Sequence, residues 1–286
     1  MRYYKIFAFS LIVLLLSACG NKKNDASKSN EETTSTHKLK IVSLVPSITK
    51  EIVRLGLEDN IVGATSYCDI SKEKPELIVG SAIEVNEEKI ILLKPDVVFA
   101  STLVKDKSIA LLKKNGIRVE YTGKYSSFDE ICNNFEKIAN ILNRKNMAIQ
   151  IISNAKHKID SLKQVIPGNK AGKSVFFQLG ANPIATVIPN TFMNDYITFS
   201  KCKNIFEDLD KVIVSRESVV LRNPDIIIIS SMGGVGAQEK ENWKKYNSIN
   251  AVKDDKIFTV KSASTPTVKD FIDNLEIIIN KICFEK

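Results

Sequence analysis

The sequence predicts an α/β protein of two similar lobes with one long helix between them, and three observations lead there. Short apolar runs of strand character alternate with amphipathic helical spacings along the chain. One helical pattern near the middle runs for about twenty residues, well beyond the usual three or four turns. A helix–turn–strand unit also occurs twice, once on each side of that helix, at a constant offset of 129 residues.

The first element, Lys40 to Leu44, is rich in β formers and ends at Pro46-Ser47, after which Ile48 to Leu55 has helical spacing and stops near Gly56. Val97 to Ala100 is continuously apolar, as expected of a strand buried on both faces. Ile117 to Tyr121, Ser174 to Phe177, Ile226 to Ile229 and Ile257 to Val260 have similar β character. Ser127 followed by Glu130 forms a capping box, and the helix it opens carries Phe128, Ile131, Phe135, Ile138 and Leu142 on one face. The long helix repeats Ala148, Ile152, Ala155, Ile159, Leu162 and Ile166 at alternating steps of four and three, and Pro167-Gly168 stops it. Its length is roughly 30 Å, the width of a small domain. Periodicity accommodates two roles for it equally, a stiff spine between lobes or an ordinary packing helix within one.

In the internal repeat, Asn86-Glu87-Glu88-Lys89-Ile90 and Lys94-Pro95-Asp96-Val97-Val98 are echoed by Ser215-Arg216-Glu217-Ser218-Val219 and Asn223-Pro224-Asp225-Ile226-Ile227. Each copy reads as an N-cap, a short helix and a Pro-Asp turn into a buried strand. Glu88 and Glu217 fall in the first helical turn, where the N-terminal dipole favours a negative charge. Helix capping alone would account for them, and so would a functional role for a paired carboxylate.

The N-terminus assigns the compartment. Arg2 and Lys5 precede an apolar run from Ile6 to Leu16, and Leu16-Ser17-Ala18-Cys19 places small residues before a cysteine. So short a run reads as a cleaved signal rather than a spanning helix, and the pattern is a bacterial lipobox with Cys19 as the acylated first residue. Gly20 to Lys38 is mostly polar, with no apolar residue larger than Ala26, and reads as a flexible tether. The rest is long enough for two compact lobes or one large domain. The net charge of +8 comes from scattered lysines, pairs such as Lys113-Lys114 and Lys244-Lys245 being solvated faces rather than nucleic-acid patches. An exported compartment permits disulfides among Cys68, Cys132, Cys202 and Cys283, with three connectivities open and no Cys-x-x-Cys spacing.

Lys40 to Thr49, continuing through Gly56-Leu57 and Val62 to Asp69, resembles the opening of cobalamin and iron-siderophore binding proteins. Glu88 to Ala100, Val175 to Pro183, Asn204-Ile205-Phe206 and Val214 to Glu217 are similar to the same family in the same order. The resemblance covers the chain from about Leu39 onward and implies two Rossmann-like α/β lobes joined by one long backbone helix, with a ligand cleft between them. The expected organisation is then a lipoprotein signal at 1–19, a tether at 20–38, an N-terminal lobe at 39–145, the backbone helix at 146–167 and a C-terminal lobe at 168–286. The resemblance further implies a substrate-binding component of an ABC importer, anchored on the periplasmic or extracellular face of a bacterial membrane. Its partner would be a permease dimer whose arginines receive Glu88 and Glu217. It also implies a disulfide between Cys202 and Cys283 and leaves Cys68 and Cys132 without an assigned partner.

Ligand pockets in such folds sit where loops leave parallel strands. The expected lining is Pro46, Ser47, Tyr67, Ser101, Thr102, Gln178, Asn182, Phe192 and Met232, with Tyr67 offering a flat aromatic face. A corrinoid or ferric chelate is the expected ligand, and no intrinsic cofactor is expected. The chain departs from cobalamin binders in one respect: where they stack tryptophans it has Ala82 and Ser101, and its one tryptophan, Trp243, lies in a helical segment where the resemblance implies a structural aromatic. Haem is the alternative within the family, with Tyr67, Met193 and Met232 as available ligands. A surface receptor or sensor uncoupled from import is the alternative outside it. A bare transition-metal site is not expected, because the two histidines are His37 in the tether and His157 on the polar face of the long helix. Catalysis is not expected either, since no Gly-x-Ser-x-Gly elbow, P-loop or His-Glu-x-x-His pattern is present.

Overall fold

The computed structural model describes residues 38–284 apart from 122, 124, 232–234 and 262–264. The expected lipidation residue Cys19 and the expected ligand contact Met232 therefore lie outside the described residues. In chain order the first half runs β1 (Ile41–Ser43), α1 (Pro46–Arg54), β2 (Ile61–Ala64), α2 (Ile70–Glu73), α3 (Glu87–Leu93), β3 (Val97–Ala100), α4 (Asp106–Lys114), β4 (Val119–Tyr121) and α5 (Phe128–Ile141). The long helix follows as α6 (Lys145–Gln164). The second half runs β5 (Ser174–Ala181), β6 (Ile184–Thr186), α7 (Asn194–Phe199), β7 (Lys203–Asn204), α8 (Arg216–Arg222), β8 (Ile226–Ser230), α9 (Val235–Lys244), α10 (Asn250–Lys253), β9 (Ile257–Val260) and α11 (Val268–Cys283).

Two sheets result, one per lobe. The first has the order β2-β1-β3-β4 and is parallel throughout. The second has the order β6-β5-β8-β9 with β7 also beside β5, and β6 is its antiparallel member. Successive residues of a strand face opposite sides of a sheet, and both lobes use this in the same way. Ile41, Val97 and Phe99 of the first sheet and Val175, Phe177, Ile226 and Ile228 of the second enter one common core. Val42, Val98 and Ala100 face a separate core in the N-terminal lobe, and Phe176, Ile227 and Ile229 face another in the C-terminal lobe.

The common core is filled by α1, α5, α6, α7 and α11. Phe271 of α11 stacks on Phe128 of α5 at 4.4 Å between ring centroids and on Tyr196 of α7 at 4.5 Å. The 20-residue α6 packs on α5 from one lobe and α11 from the other, burying Ala148, Ala155, Ile159 and Leu162. It is thus the spine between lobes and not a helix internal to one. The Ser127 hydroxyl accepts the Glu130 N–H at 3.2 Å, and the Glu130 carboxylate reaches back to the Ser126 N–H at 2.7 Å, closing the predicted box one residue early.

The expected Cys202–Cys283 bridge is not formed: both are free thiols, as are Cys68 and Cys132. The Cys202 thiol instead donates to the Ser200 carbonyl at 3.4 Å. Burial pushes Cys202 up to about 12, and the neighbouring Cys283 adds to that. No helix among the described residues is long and apolar enough to cross a membrane.

Candidate functional site

Parallel strands end at one edge of their sheet, and the loops leaving those ends collect there. In the first sheet β1 lies between β2 and β3, so the chain leaves it in one direction and returns on the other side. Such a reversal of strand order opens a crevice beyond the strand ends. β5 holds the same place in the second sheet, with β6 and β7 on one side and β8 on the other. Strands lie roughly 5 Å apart, so the loops after β2, β1 and β3 fall within roughly 10 Å of one another.

The predicted N-terminal contacts all sit on these loops. Pro46 opens α1, where its fixed φ suits the first helical position, and Ser47 beside it is buried. Tyr67 follows β2 in a turn and is 67% exposed, so it is not packed beneath its own loop. Its neighbour Cys68 is fully buried, with its sulfur 3.1 Å from the Thr49 hydroxyl and 3.3 Å from that of Thr65. Thr49 in turn donates to the Ser43 hydroxyl at 2.8 Å. These contacts pin the turn to α1 and leave the Tyr67 ring standing clear. Ser101 and Thr102 follow β3, Thr102 exposed and Ser101 half-buried.

The C-terminal contacts divide. Asn182 is exposed at the tip of the β5–β6 turn. Phe192 is 7% exposed and belongs to the common core, and its N–H donates to the Tyr125 carbonyl at 3.2 Å. Gln178 is 1% exposed, and its amide is consumed inside the lobe. The indole N–H of Trp243 donates to Gln178 Oε1 at 2.6 Å, and Gln178 Nε2 donates to Glu239 at 2.8 Å. Glu239 also receives Arg216 Nη2 at 2.7 and 2.9 Å, and the Arg216 guanidinium lies over the Trp243 ring. Burial would raise Glu239, but the bonds from Gln178, Asn242 and Arg216 outweigh it and hold the carboxyl below its ordinary range. Gln178 therefore braces β5 from within the lobe instead of facing the crevice.

The two repeats superimpose in their local chemistry. The Asn86 side chain accepts the Lys89 N–H at the start of α3, and the Ser215 side chain accepts the Ser218 N–H at the start of α8. Lys94 and Asn223 end the two helices in the left-handed conformation, with φ of 49° and 46°. Asp96 then accepts the Lys40 N–H at 2.8 Å, and Asp225 the Ser174 N–H at 3.0 Å, each tying the turn to the central strand of its sheet. Glu88 and Glu217 occupy the second position of these helices, and both are exposed. Hydrogen bonds from its own N–H and from Ser215 hold Glu217 below the usual carboxylate range.

Residues 41–263 match the family pattern of periplasmic binding proteins. The chain belongs to the periplasmic binding protein family. It is 31% identical over 277 residues to YvrC, an uncharacterized ABC transporter substrate-binding lipoprotein of Bacillus subtilis strain 168, covering 88% of each chain. It is 28% identical over 206 residues to the vitamin B12-binding protein of Photorhabdus laumondii, covering 71% of this chain and 72% of that one. Among solved structures, a possible iron-binding (periplasmic solute-binding) protein from Staphylococcus epidermidis superimposes with a TM-score of 0.76 and 30% identity, covering 86% of this chain and 98% of that one. Proteins of this family bind small ligands and serve ABC importers together with a membrane permease.

Tyr125 of this binding protein was not among the predicted contacts, although it follows β4 just as Tyr67 follows β2. It is half-buried, its hydroxyl accepts Asn134 Nδ2 at 2.9 Å, and burial pushes it up to about 12. Together with Phe192 it joins the two lobes on the side of the strand ends. A second set of ties was equally hidden: Lys50 bridges to Asp270 at 3.0 Å and lies 3.8 Å from Asp69. A cavity of about 350 Å³ opens there, lined by Thr49, Lys50, Arg54, Asp69, Glu73 and Asp270, and none of the predicted ligand contacts lines it. Among the described residues, the strand-end loops of the binding protein carry the exposed Tyr67 ring, the hydroxyls of Ser47, Ser101 and Thr102, and the amide of Asn182. The chemistry of these groups is that of stacking and neutral hydrogen bonding.

Proposed function

We propose that the protein is lipid-anchored through Cys19 and captures a corrinoid or a ferric chelate for its importer. The observation that carries the ligand class is Tyr67, held clear of the fold at a strand-end loop by the buried Cys68 beside it. A large conjugated or aromatic-rich ligand gives such a ring a face to stack on. The vitamin B12-binding relative and the possible iron-binding structural relative support the same two ligand types. Cobalamin itself would have to be held without the tryptophans that Ala82 and Ser101 replace.

Calorimetric titration with cobalamin, cobinamide, haem and ferric siderophores tests this reading. Submicromolar binding of a corrinoid or a ferric siderophore is expected, weakened at least about tenfold by Tyr67→Ala, the order of one lost stacking partner. Binding of haem alone would reject the ligand class, and silence across the panel would favour a receptor uncoupled from import. Delivery is assigned to Glu88 and Glu217, one exposed carboxylate per lobe, which give a cationic permease surface register and orientation. The lipid anchor is checked by globomycin treatment of expressing cells, which would leave the leader uncleaved if Cys19 is the processing site.

A further inference from the structure

Across the thirteen paired positions of residues 86–98 and 215–227, four residues are identical: Glu88 and Glu217, Leu92 and Leu221, Pro95 and Pro224, Asp96 and Asp225. The Pro-Asp pairs have an internal reason, because each aspartate fastens its turn to a neighbouring strand. The glutamates make no ion pair among the described residues and carry the docking role already assigned. The leucines remain. They are 80% and 86% exposed, the most exposed large apolar side chains among the described residues.

Helix geometry puts each leucine beside its glutamate. Ile90 in α3 and Val219 in α8 are fully buried, each fixing the inward face of its helix. Residues two before and two after such a position lie roughly 160° around the helix and on one outward stripe. Glu88 and Leu92 share that stripe, as do Glu217 and Leu221, at the i, i+4 spacing that makes side chains neighbours. Ahead of α3 stands the exposed Ile83 at 54%, and ahead of α8 stand Val212 at 42% and Ile213 at 53%, with Val212 129 positions after Ile83. A single exposed leucine needs no explanation. Two at equivalent positions of a diverged repeat, each beside an unpaired carboxylate, form a pattern that folding does not require.

We propose that Leu92 and Leu221 are matched apolar anchors that seat the protein on the permease, one beside each docking glutamate. The inference rests on the docking reading of Glu88 and Glu217. Two like patches fit a partner that presents one socket twice, as a permease dimer with a two-fold axis does. The chemistry divides the work. A chain of net charge +8 gains attraction for a cationic socket only locally, at its carboxylates. A leucine buried at the centre of each contact supplies the water-excluding area that holds the complex once formed.

The test compares the full chain, Leu92→Ser/Leu221→Ser and Glu88→Ala/Glu217→Ala for binding to the partner permease in nanodiscs and to nanodiscs of the same lipids without it. The leucine double variant is expected to keep the parental melting temperature and to bind the permease roughly tenfold to hundredfold more weakly, with the parental salt dependence. Each single leucine variant should lose a similar share. Parental permease affinity in the leucine variant, with loss in the glutamate variant, would overturn the anchors and leave the docking reading standing. Parental affinity in both double variants would overturn the docking reading itself. A loss that appears equally on nanodiscs without permease would assign the leucines to lipid and overturn the proposal.

Discussion

Glu51 of α1 accepts a hydrogen bond at 2.7 Å from the N–H of Val268, 217 positions later, and so caps the first turn of α11 from the opposite lobe. Its other carboxylate oxygen lies 3.5 Å from Arg54 Nε. The side chain is 2% exposed, and burial raises it to about 7 despite the bond from Val268 and the nearby Arg54. The unfolded chain therefore releases this proton at lower pH than the folded one. Glu51's own contribution to stability falls as pH rises from about 4.5 to about 7, by an amount on the order of 3 kcal/mol, and changes no further above that. Glu51→Gln keeps an acceptor for Val268 and removes the titration. Urea unfolding at pH 5, 6, 7 and 8 should show the parent's decline flattened in the variant; equal slopes would exclude Glu51 as its source.

The acid side is governed by groups of the opposite sign, Asp225 among them. Burial works against its charge, but bonds from the Ser174 N–H and hydroxyl and from Asn250 prevail and lower its titration below the ordinary carboxylate range. That contribution is complete above the ordinary value and is lost as pH falls through the folded one. Asp225→Asn should lose stability at pH 7 and little at pH 2, read from chemical denaturation at both.

Glu88→Ala/Glu217→Ala should abolish ligand uptake by cells while leaving the dissociation constant of the purified protein unchanged. Both carboxylates are exposed and support no described ion pair, so no folding defect is expected. Normal uptake by this variant would exclude the docking role.

Trp243 is fully buried and gives its indole proton to Gln178. Trp243→Phe should destabilise the protein by about 1–3 kcal/mol, the cost of leaving a buried amide oxygen without its donor. Quenching of Trp243 by iodide should be negligible in the native state, with or without ligand, and any strong native quenching would contradict its burial.

Phe271→Ala removes the ring that stacks on both Phe128 and Tyr196. A loss of about 3–5 kcal/mol is expected from denaturant titration. A loss under 1 kcal/mol would show that the interface between lobes closes around the cavity.

The regular elements were legible because each carried a local signal. Six strand candidates were found where predicted, and the repeat at 86–98 and 215–227 gave two lobes because its caps and Pro-Asp turns are sequential. The strand-end loops could be named for the same reason, and Pro46, Tyr67, Thr102 and Asn182 sit at them. What was missed depends on partners far along the chain. Gln178 follows directly on the strand read at Ser174 to Phe177, but its bond to Trp243 crosses 65 positions. Glu51 falls in an ordinary amphipathic helix, and nothing in that helix announces that its carboxylate caps α11. Tyr125 had the same strand-end placement as Tyr67 and could have been found by extending that rule to β4. The pairing of Cys202 with Cys283 was carried by resemblance alone, and the free thiols of the structure show that resemblance does not fix covalent state.

The common core has a consequence for how the chain comes apart. The two lobes share the repeated segment at 86–98 and 215–227, but the inner face of each sheet is completed by side chains that the other half of the chain helps to hold. A fragment ending after α5 would expose Phe128 and its neighbours, and one beginning at β5 would lack the surface on which Phe271 rests. The halves resemble each other locally without being modules of folding. Heat should melt them in one calorimetric transition whose van't Hoff and measured enthalpies agree.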